Sequence, residues 1–511
     1  MEIFDTSQLP PDGAGLSPSE IYWLYNGFDC CITNEIRLAL RKNLDEVSGA
    51  TYAQALRLQA PFLEMMLRGL LVNEAHRAAR VRECEEQLAL LEYKFNRLCA
   101  EGLELTYVLN WRSPLQVKAL FYDILGLPKI RKRGANGAVL SVDREALEKL
   151  SSHFVGELFA NFILAMRDLG KQIGFLKTPL DPDKRIRCNF NLAGTNTGRL
   201  SSSFSDFGTG TNLQNIDRNL RYIFIPDPGK VFVNVDLEQG DSRGVGALAW
   251  NMFLESHGPE FAGSYLDACE SRDLHTFVCR MCWPELPWGD DPADWRAVAE
   301  TVAYRTYTYR DLAKKLGHGS NYMGQPPAMS MHSKVPVGQI IDFQSGYFGT
   351  FPCIPAWQQE TVRILRETGQ LTHLLGRRRY FFGRHNDQSV LNAAIAYCPQ
   401  GMTGDIINEG ILRLWRNPQF ELLVQVHDSI LLQIDQDRID ELVPEILSTM
   451  LVQTELAGGR MFSIPCEAKV GWNWGDVSAD NPHGMAKFKG SETRTPPNST
   501  RLRRLSLKGL L

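Results

Sequence analysis

Two aspartates stand where carboxylates can do chemistry. Asp236 closes the valine-rich run Val231–Asp236, VFVNVD, which follows Pro228-Gly229. Asp428 sits in the middle of Leu422–Ile434, LLVQVHDSILLQI, between two apolar runs. A single aspartate at a strand end usually serves a turn or a cap. Two on neighbouring strands would hold a pair of magnesium ions, which prefer hard oxygen ligands and keep room for water and phosphate. Such a pair activates an attacking 3′-hydroxyl and stabilises a leaving pyrophosphate in line with it. A third feature is a stripe: Arg310, Lys314, His318 and Tyr322 recur at four-residue steps. On a helix each such step drifts by about 40°, so the four share one face. Two cations suit phosphate oxygens and two rings suit a nucleobase. Taken alone, the same stripe also fits a solvated amphipathic helix.

These side chains need elements to position them. Val231–Asp236 reads as a strand, and Leu422–Ile434 as a strand, a tight turn at His427-Asp428-Ser429 and a second strand. Residues 290–325 read as helical and would carry the stripe. Apolar residues at three- and four-residue steps predict a helix over 55–102, and helical patterning resumes between Asp143 and Lys177. The stretch Arg131–Gly137, RKRGANG, reads as a basic loop, and residues 1–20, rich in Pro, Gly and Ser, as irregular. Beyond Gly490 the chain is polar, Pro-containing and basic, which predicts a tail that is disordered when free. There is no internal repeat.

Composition narrows the class. The 511 residues are 44% hydrophobic and 22% charged, the balance of a soluble globular protein. That length allows about two to four domains. No apolar run approaches the roughly 20 residues of a membrane span, and the N-terminus MEIFDTSQLPPDG is unlike a secretory signal. The expectation is a cytoplasmic protein with no membrane partner. Eleven cysteines, an odd count, suggest free thiols in a reducing compartment. Cys279 and Cys282 have CxxC spacing without a second ligand pair, so two thiols on one helix are expected rather than a zinc site. The net charge is −4, so a nucleic-acid partner would require segregated charge. The basic clusters Arg131-Lys132-Arg133, Lys184-Arg185-Arg187 and Arg377-Arg378-Arg379 could line such a cleft, although each alone also fits a solvated face.

Taken in order, these features resemble family A DNA polymerases, the bacterial polymerase I type, over residues 55–478. Asp236-Leu237-Glu238-Gln239-Gly240-Asp241-Ser242-Arg243 is similar to the family's D-Y-S-Q-I-E-L-R. Arg310-x3-Lys314-x3-His318-x3-Tyr322 is similar to R-x3-K-x3-[FY]-x3-Y-G, and Gln425-Val426-His427-Asp428 matches Q-V-H-D. Thr197-Gly198-Arg199-Leu200-Ser201-Ser202, Asn212-Leu213-Gln214-Asn215-Ile216, Asp273-Leu274-His275-Thr276, Leu375-Gly376-Arg377-Arg378-Arg379 and Ser113-Pro114-x-Gln116 resemble further family motifs. The ordered set is far more specific than any one member.

The resemblance implies an α+β right-hand polymerase fold with an antiparallel palm sheet, helical fingers and a helical thumb. It implies a thumb over 55–180, palm over 181–255 and 395–488, and fingers over 256–394. Residues 1–54 would be an N-terminal segment and 489–511 a basic tail. The implied activity is template-directed extension of a primer 3′-hydroxyl with deoxynucleoside triphosphates. Asp236 and Asp428 would ligate two magnesium ions, or manganese as the alternative, with the Leu237 carbonyl assisting. Arg310 and Lys314 would hold the triphosphate, and Gln239, Asp241, His275, His318 and Tyr322 would face the incoming nucleotide. Arg199, Asn212, Gln214, Asn215, Gln400 and His427 would contact primer-template DNA.

The chain also departs from the family pattern. Asp241 replaces the glutamate that packs beneath the sugar and is one methylene shorter, which relaxes the expected exclusion of ribonucleotides. His318 stands where the family has Phe or Tyr, and its charge titrates near neutral pH. Ser429 removes a third carboxylate, and Asn392 and Ala396 replace the family's Arg and Asn ahead of Gln400. Tyr25-x3-Asp29 resembles the motif that closes the family's 3′–5′ exonuclease domain, but its other carboxylates are missing, so no proofreading is expected of this chain. A separate exonuclease or processivity factor is a candidate partner; Arg501–Leu511 could be its docking peptide, although such a tail is more often solvated and mobile. The compact form and divergent motifs suggest a phage or mobile-element replicase. The rival readings are a single-subunit RNA polymerase, which often has His-Asp-Ser in the third motif, and an inactive DNA-binding scaffold. Thr197–Ser202 and Gln425 favour the first reading over the former, and the retained Asp236, Asp428, Arg310 and Lys314 over the latter.

Overall fold

A computed structural model describes residues 15–134, 137–205, 208–271, 273–304 and 307–490. The predicted basic tail, including Arg501–Leu511, and most of the predicted irregular N-terminus lie outside the described residues. At the centre is a five-stranded antiparallel sheet. Its spatial order is Glu421–Val426, Ser429–Asp435, Lys230–Leu237, Cys466–Gly471, Ala486–Lys487. The middle strand is apolar on both faces, with Val231, Phe232, Val233 and Val235 buried. The helices Gln388–Leu414 and Ile439–Met450 contribute Ile406, Ile411, Leu442 and Ile446 to the same core. Burying each such aliphatic side chain stabilises the fold by about 1.5–3 kcal/mol.

Two further cores are helical. Leu248, Tyr265, Leu316, Tyr347 and Trp357 unite the helices Gly240–Ser271, Tyr309–Asn321, Val337–Thr350 and Cys353–Thr368. Phe95, Phe121 and Ile163 join Glu74–Leu103 to Phe154–Leu176. Among the described residues, no helix is long and apolar enough to cross a membrane.

Several local expectations are corrected. The predicted helix over 55–102 is two helices, Glu46–Arg68 and Glu74–Leu103, separated by the strand Leu70–Val72. That strand pairs with Arg185–Ile186 and Phe224–Ile225, and the Asn73 side chain caps the second helix. Tertiary pairing therefore overrides a helical periodicity that continues across the break. Within the stretch Arg131–Gly137, predicted as a loop, Arg131–Gly134 is instead a strand that pairs antiparallel with Gly137–Leu140. The helical region ahead of Lys177 is split into Arg144–Leu150 and Phe154–Leu176. Ser151 and Ser152 hydroxyls donate to the carbonyls of Glu148 and Lys149 at the break.

Among the described residues, only Trp295–Ala299 and Tyr309–Asn321 are helical within the predicted helix over 290–325. The strands Val302–Tyr304 and Tyr307–Thr308 pair between them. Thr308 then starts the stripe helix through a reciprocal cap with Asp311. Pro18 already begins a helix, Pro18–Arg41, inside the stretch predicted to be irregular. Tyr25 and Asp29 lie on that helix, none of whose residues is buried. All eleven cysteines are free, and Cys279 and Cys282 are buried on one helix, Leu274–Cys282.

Candidate active site

The two aspartates meet at one end of the central sheet. Ser429 lies opposite Asp236 on one neighbouring strand and Glu467 opposite it on the other. Asp428 precedes Ser429 in the tight turn, and its carbonyl accepts the Leu237 N–H at 3.1 Å. His427 has φ 54°, an uncommon conformation for a non-glycine residue. Gln425 explains how the turn holds it. Its side-chain nitrogen donates to the His427 carbonyl, and its oxygen accepts Gln214 Nε2 at 2.9 Å. Buried Gln425 thus spends both ends of its amide on the turn and on the Leu213–Asn215 segment.

Asp236 is exposed to solvent rather than packed in the core. Desolvation by the surrounding protein, and next the charge of Asp428, push its pKa up to about 6. Burial also raises Asp428, against the opposing pull of Arg199. Asp428 Oδ1 is buried without a hydrogen-bond partner, although Arg199 Nη2 approaches it to 3.3 Å. Two mutually repelling carboxylates, one with an orphaned oxygen, fit a divalent cation with oxygen ligands. Among the described residues no group of three or more His, Cys, Asp or Glu side chains forms a closed metal cage.

The stripe helix supplies the facing wall. Arg310, Lys314 and His318 lie on Tyr309–Asn321, and Tyr322 sits just beyond its end. The His318 and Tyr322 rings meet edge-on, with centroids 4.6 Å apart. Burial lowers the His318 pKa, with the Lys314 and Arg199 charges adding to the effect and Asp241 opposing it. Gln358 donates to the Ser320 and Asn321 carbonyls, and Asn321 is held between the Tyr265 and Tyr347 hydroxyls. These bonds satisfy the helix end and fix the entry to Tyr322. The Tyr322 hydroxyl is buried and unpartnered, and burial followed by the Asp241 charge raises its pKa well above the usual range.

His275 lies in the first turn of Leu274–Cys282. Desolvation, then the Arg310 and Lys314 charges, push its pKa down to about 4. Asp273, which caps that helix, grips Arg310. Gln239 has φ 55° and a buried, unpartnered side-chain oxygen. Gln400 is half-buried on Gln388–Leu414.

Arg199 ends the turn Thr197-Gly198-Arg199. Gly198 has φ 78°, and a Cβ there would lie 2.6 Å from Arg377 Nε, so only glycine fits. Arg377 is pinned by Asp405, with Nε to Oδ2 at 3.0 Å and Nη2 to Oδ1 at 2.7 Å. The first arginine of the Arg377–Arg379 cluster is therefore half-buried scaffold. Asn212 accepts from the Gln214 N–H and the Ser202 hydroxyl, and Asn215 is exposed.

The family model described as DNA polymerase family A matches residues 80–256 and 294–476. The chain belongs to DNA polymerase family A. It is 27% identical over 431 residues to "DNA polymerase I, thermostable" of Thermus thermophilus, covering 79% of this chain and 45% of that protein. It is 28% identical over 442 residues to the Thermus aquaticus protein of the same description, covering 81% and 46%. The chain thus spans about half the length of the curated relatives it matches. The solved structure "POL domain of Pol1 from M. smegmatis complex with DNA primer-template and dNTP" superposes with a TM-score of 0.62 at 22% identity, covering 82% of this chain and 70% of that one. That likeness shows the fold, the α+β right-hand polymerase architecture with an antiparallel palm sheet. The family match leaves 257–293 uncovered, so Asp273 and His275 join the site through their contacts and charge environment.

Three residues of the site escaped sequence reasoning. Glu467 lies opposite Asp236, Asp273 grips Arg310, and Thr403 touches Asp241. Asp273 stood inside a recognised motif, but its acidity gave no sign of its partner. Glu467 and Thr403 carried no signal, because only strand register and helix packing bring them in.

Proposed function

We propose that the chain is a DNA-directed DNA polymerase that extends a primer 3′-hydroxyl with deoxynucleoside triphosphates at two divalent ions, without proofreading of its own. The observation that carries this reading is the juxtaposition of Asp236 and Asp428 at one sheet end, within electrostatic reach of Lys314. Magnesium, or manganese in its place, held by Asp236, Asp428 and the Leu237 carbonyl, would activate the hydroxyl and neutralise the pyrophosphate.

The chain's own residues do the remaining work. Arg310 and Lys314 bind triphosphate oxygens, with Lys314 nearest the leaving group. His275 is neutral at physiological pH and contributes a hydrogen bond rather than a charge. His318 and Tyr322 flank the base and sugar of the incoming nucleotide. Arg199 and Gln400 present donors to minor-groove acceptors that recur in every correct base pair. Asn212 and Asn215 lie along the primer-template, and Gln214 acts through Gln425 to hold His427 and Asp428. In such transfers positioning and charge stabilisation supply most of the rate. The complex named for the solved relative, with primer-template and dNTP, contains the partners proposed for this chain.

The test is primer extension with magnesium, offering deoxy- and ribonucleotides in parallel, with Asp236→Asn and Asp428→Asn as controls. Extension with deoxynucleotides, lost in both variants while DNA binding persists, is the expected result. Normal turnover by either variant would sink the metal assignment, and no extension by the wild-type chain would favour a scaffold. A labelled, mismatched primer incubated without nucleotides should keep its length.

A further inference from the structure

We propose that Thr403 is a positioning residue for Asp241 and thereby sets how strongly the nucleotide site rejects a 2′-hydroxyl. The proposal rests on the polymerase reading above, in which Asp241 faces the sugar.

Asp241 lies in the first turn of Gly240–Ser271, and its side chain is 14% exposed. Its Oδ1 has two partners. Arg199 Nη2 lies at 2.8 Å and Thr403 Oγ1 at 3.1 Å. The two tethers differ in kind. Arg199 is long and shared, since the same Nη2 also lies 3.3 Å from Asp428. Its expected work is on the DNA minor groove, so it leaves Asp241 when a base pair arrives. Thr403 is completely buried on the helix Gln388–Leu414 and has nowhere to go.

The Thr403 hydroxyl has one proton and two acceptors. Besides Asp241 it lies 3.0 Å from the Pro399 carbonyl, four residues earlier in its own helix. Threonines in helices commonly bond that carbonyl. A carboxylate is the stronger acceptor, because a hydrogen bond to an ion is roughly twice as strong as one between neutral groups. The proton therefore goes to Asp241. The Thr403 methyl serves a second purpose: a Cβ at Gly240 would lie 2.9 Å from it. One side chain thus packs against the residue before Asp241 and ties Asp241 itself.

A carboxylate one methylene shorter than glutamate reaches less far toward the sugar and needs a fixed direction to block it. Once Arg199 engages DNA, Thr403 holds that direction. Without the hydroxyl, Asp241 rotates and space opens for a 2′-hydroxyl.

Single-nucleotide insertion separates the possibilities. Thr403→Val keeps the methyl and the volume while replacing the hydroxyl, and Thr403→Ser keeps the hydroxyl. The wild-type chain should prefer deoxynucleotides in kcat/KM. Thr403→Val should lower that preference about 10-fold while deoxynucleotide kcat/KM falls less than about 3-fold, and Thr403→Ser should stay near wild type. The ratio of nucleotide Kd values on a dideoxy-terminated primer should move in the same direction without chemistry. A Thr403→Val ratio within about two-fold of wild type, well below what one pocket contact supplies, overturns the proposal. So does an equal loss in Thr403→Ser, which would assign the effect to packing. Deoxynucleotide extension by the wild-type chain reports on the parent reading by itself. If Thr403→Val fails to melt cooperatively, Thr403→Ala and Thr403→Ser supply the same comparison.

Discussion

Arg310 and Asp273 face each other in a two-pronged ion pair, Nε to Oδ2 at 3.2 Å and Nη2 to Oδ1 at 2.8 Å. Burial alone would raise the Asp273 pKa, but the hydrogen bonds and charge of Arg310 hold it down at about 2. Asp273 also accepts from the Thr276 hydroxyl at 2.9 Å and caps its helix. The fork thus fixes the Arg310 guanidinium, proposed above to bind phosphate, against a helix that also carries His275. Asp273→Asn keeps a capping side chain and removes the charge. It should change the melting temperature little and raise the KM for deoxynucleotides several-fold. Asp273→Ala should in addition lose about 1 kcal/mol with the cap. Thermal melts with steady-state insertion kinetics check both.

The raised pKa of Asp236 gives a pH dependence with a definite sign. The ionised carboxylate is the form that takes up a cation, so activity at limiting magnesium should fall as pH drops through about 6. Raising magnesium should move that midpoint to lower pH, because cation and proton compete. In the ion-free protein the folded state holds this proton more tightly than the unfolded chain. The stabilising effect is therefore full below the unfolded pKa and lost as pH climbs towards about 6. Asp236→Asn should reduce that stability slope in a pH series of melts, leaving the part that Asp428 contributes. His275, pushed down to about 4, stays neutral through this window.

Asp405 is the anchor of a buried cluster. Its side chain is 4% exposed, and Arg377 and His373 both face it, His373 Nε2 at 3.2 Å. Burial would raise its pKa, but these two partners keep it below the usual range. Removing one member of a buried ion pair costs about 3–5 kcal/mol. Asp405→Ala should lower stability by that order in denaturant melts. It should also weaken primer-template binding, because Arg377 backs the turn that carries Arg199.

The thiols should divide sharply. Cys30 and Cys31 are exposed. Burial raises the thiol pKa of Cys279, Cys398 and Cys466 to about 12 and that of Cys282 further still. Titration with a disulfide reagent should find 2 fast thiols in the native protein and 11 in denaturant.

Much of the site was legible in the sequence because its motifs are local. The strand ending in Asp236, the tight turn at Asp428 and the four-residue stripe each follow from periodicity and turn chemistry within a dozen or so neighbouring residues. Their order also made the family plain. The sequence misled where periodicity continued through a break. The helix predicted over 55–102 is cut because Leu70–Val72 pairs with strands more than a hundred residues away, and no local pattern encodes such a partner. The same holds for the cluster Arg377–Arg379, whose first member reads as a surface cation but is captured by Asp405. Residue types determined which groups could bind metal and phosphate. Packing of Gln388–Leu414 against Gly240–Ser271 decided that Thr403 reaches Asp241, and sheet register decided that Asp236 stands between Ser429 and Glu467. Such contacts depend on the closure of long loops, whose geometry is set by burial across the whole core rather than by any short stretch of chain.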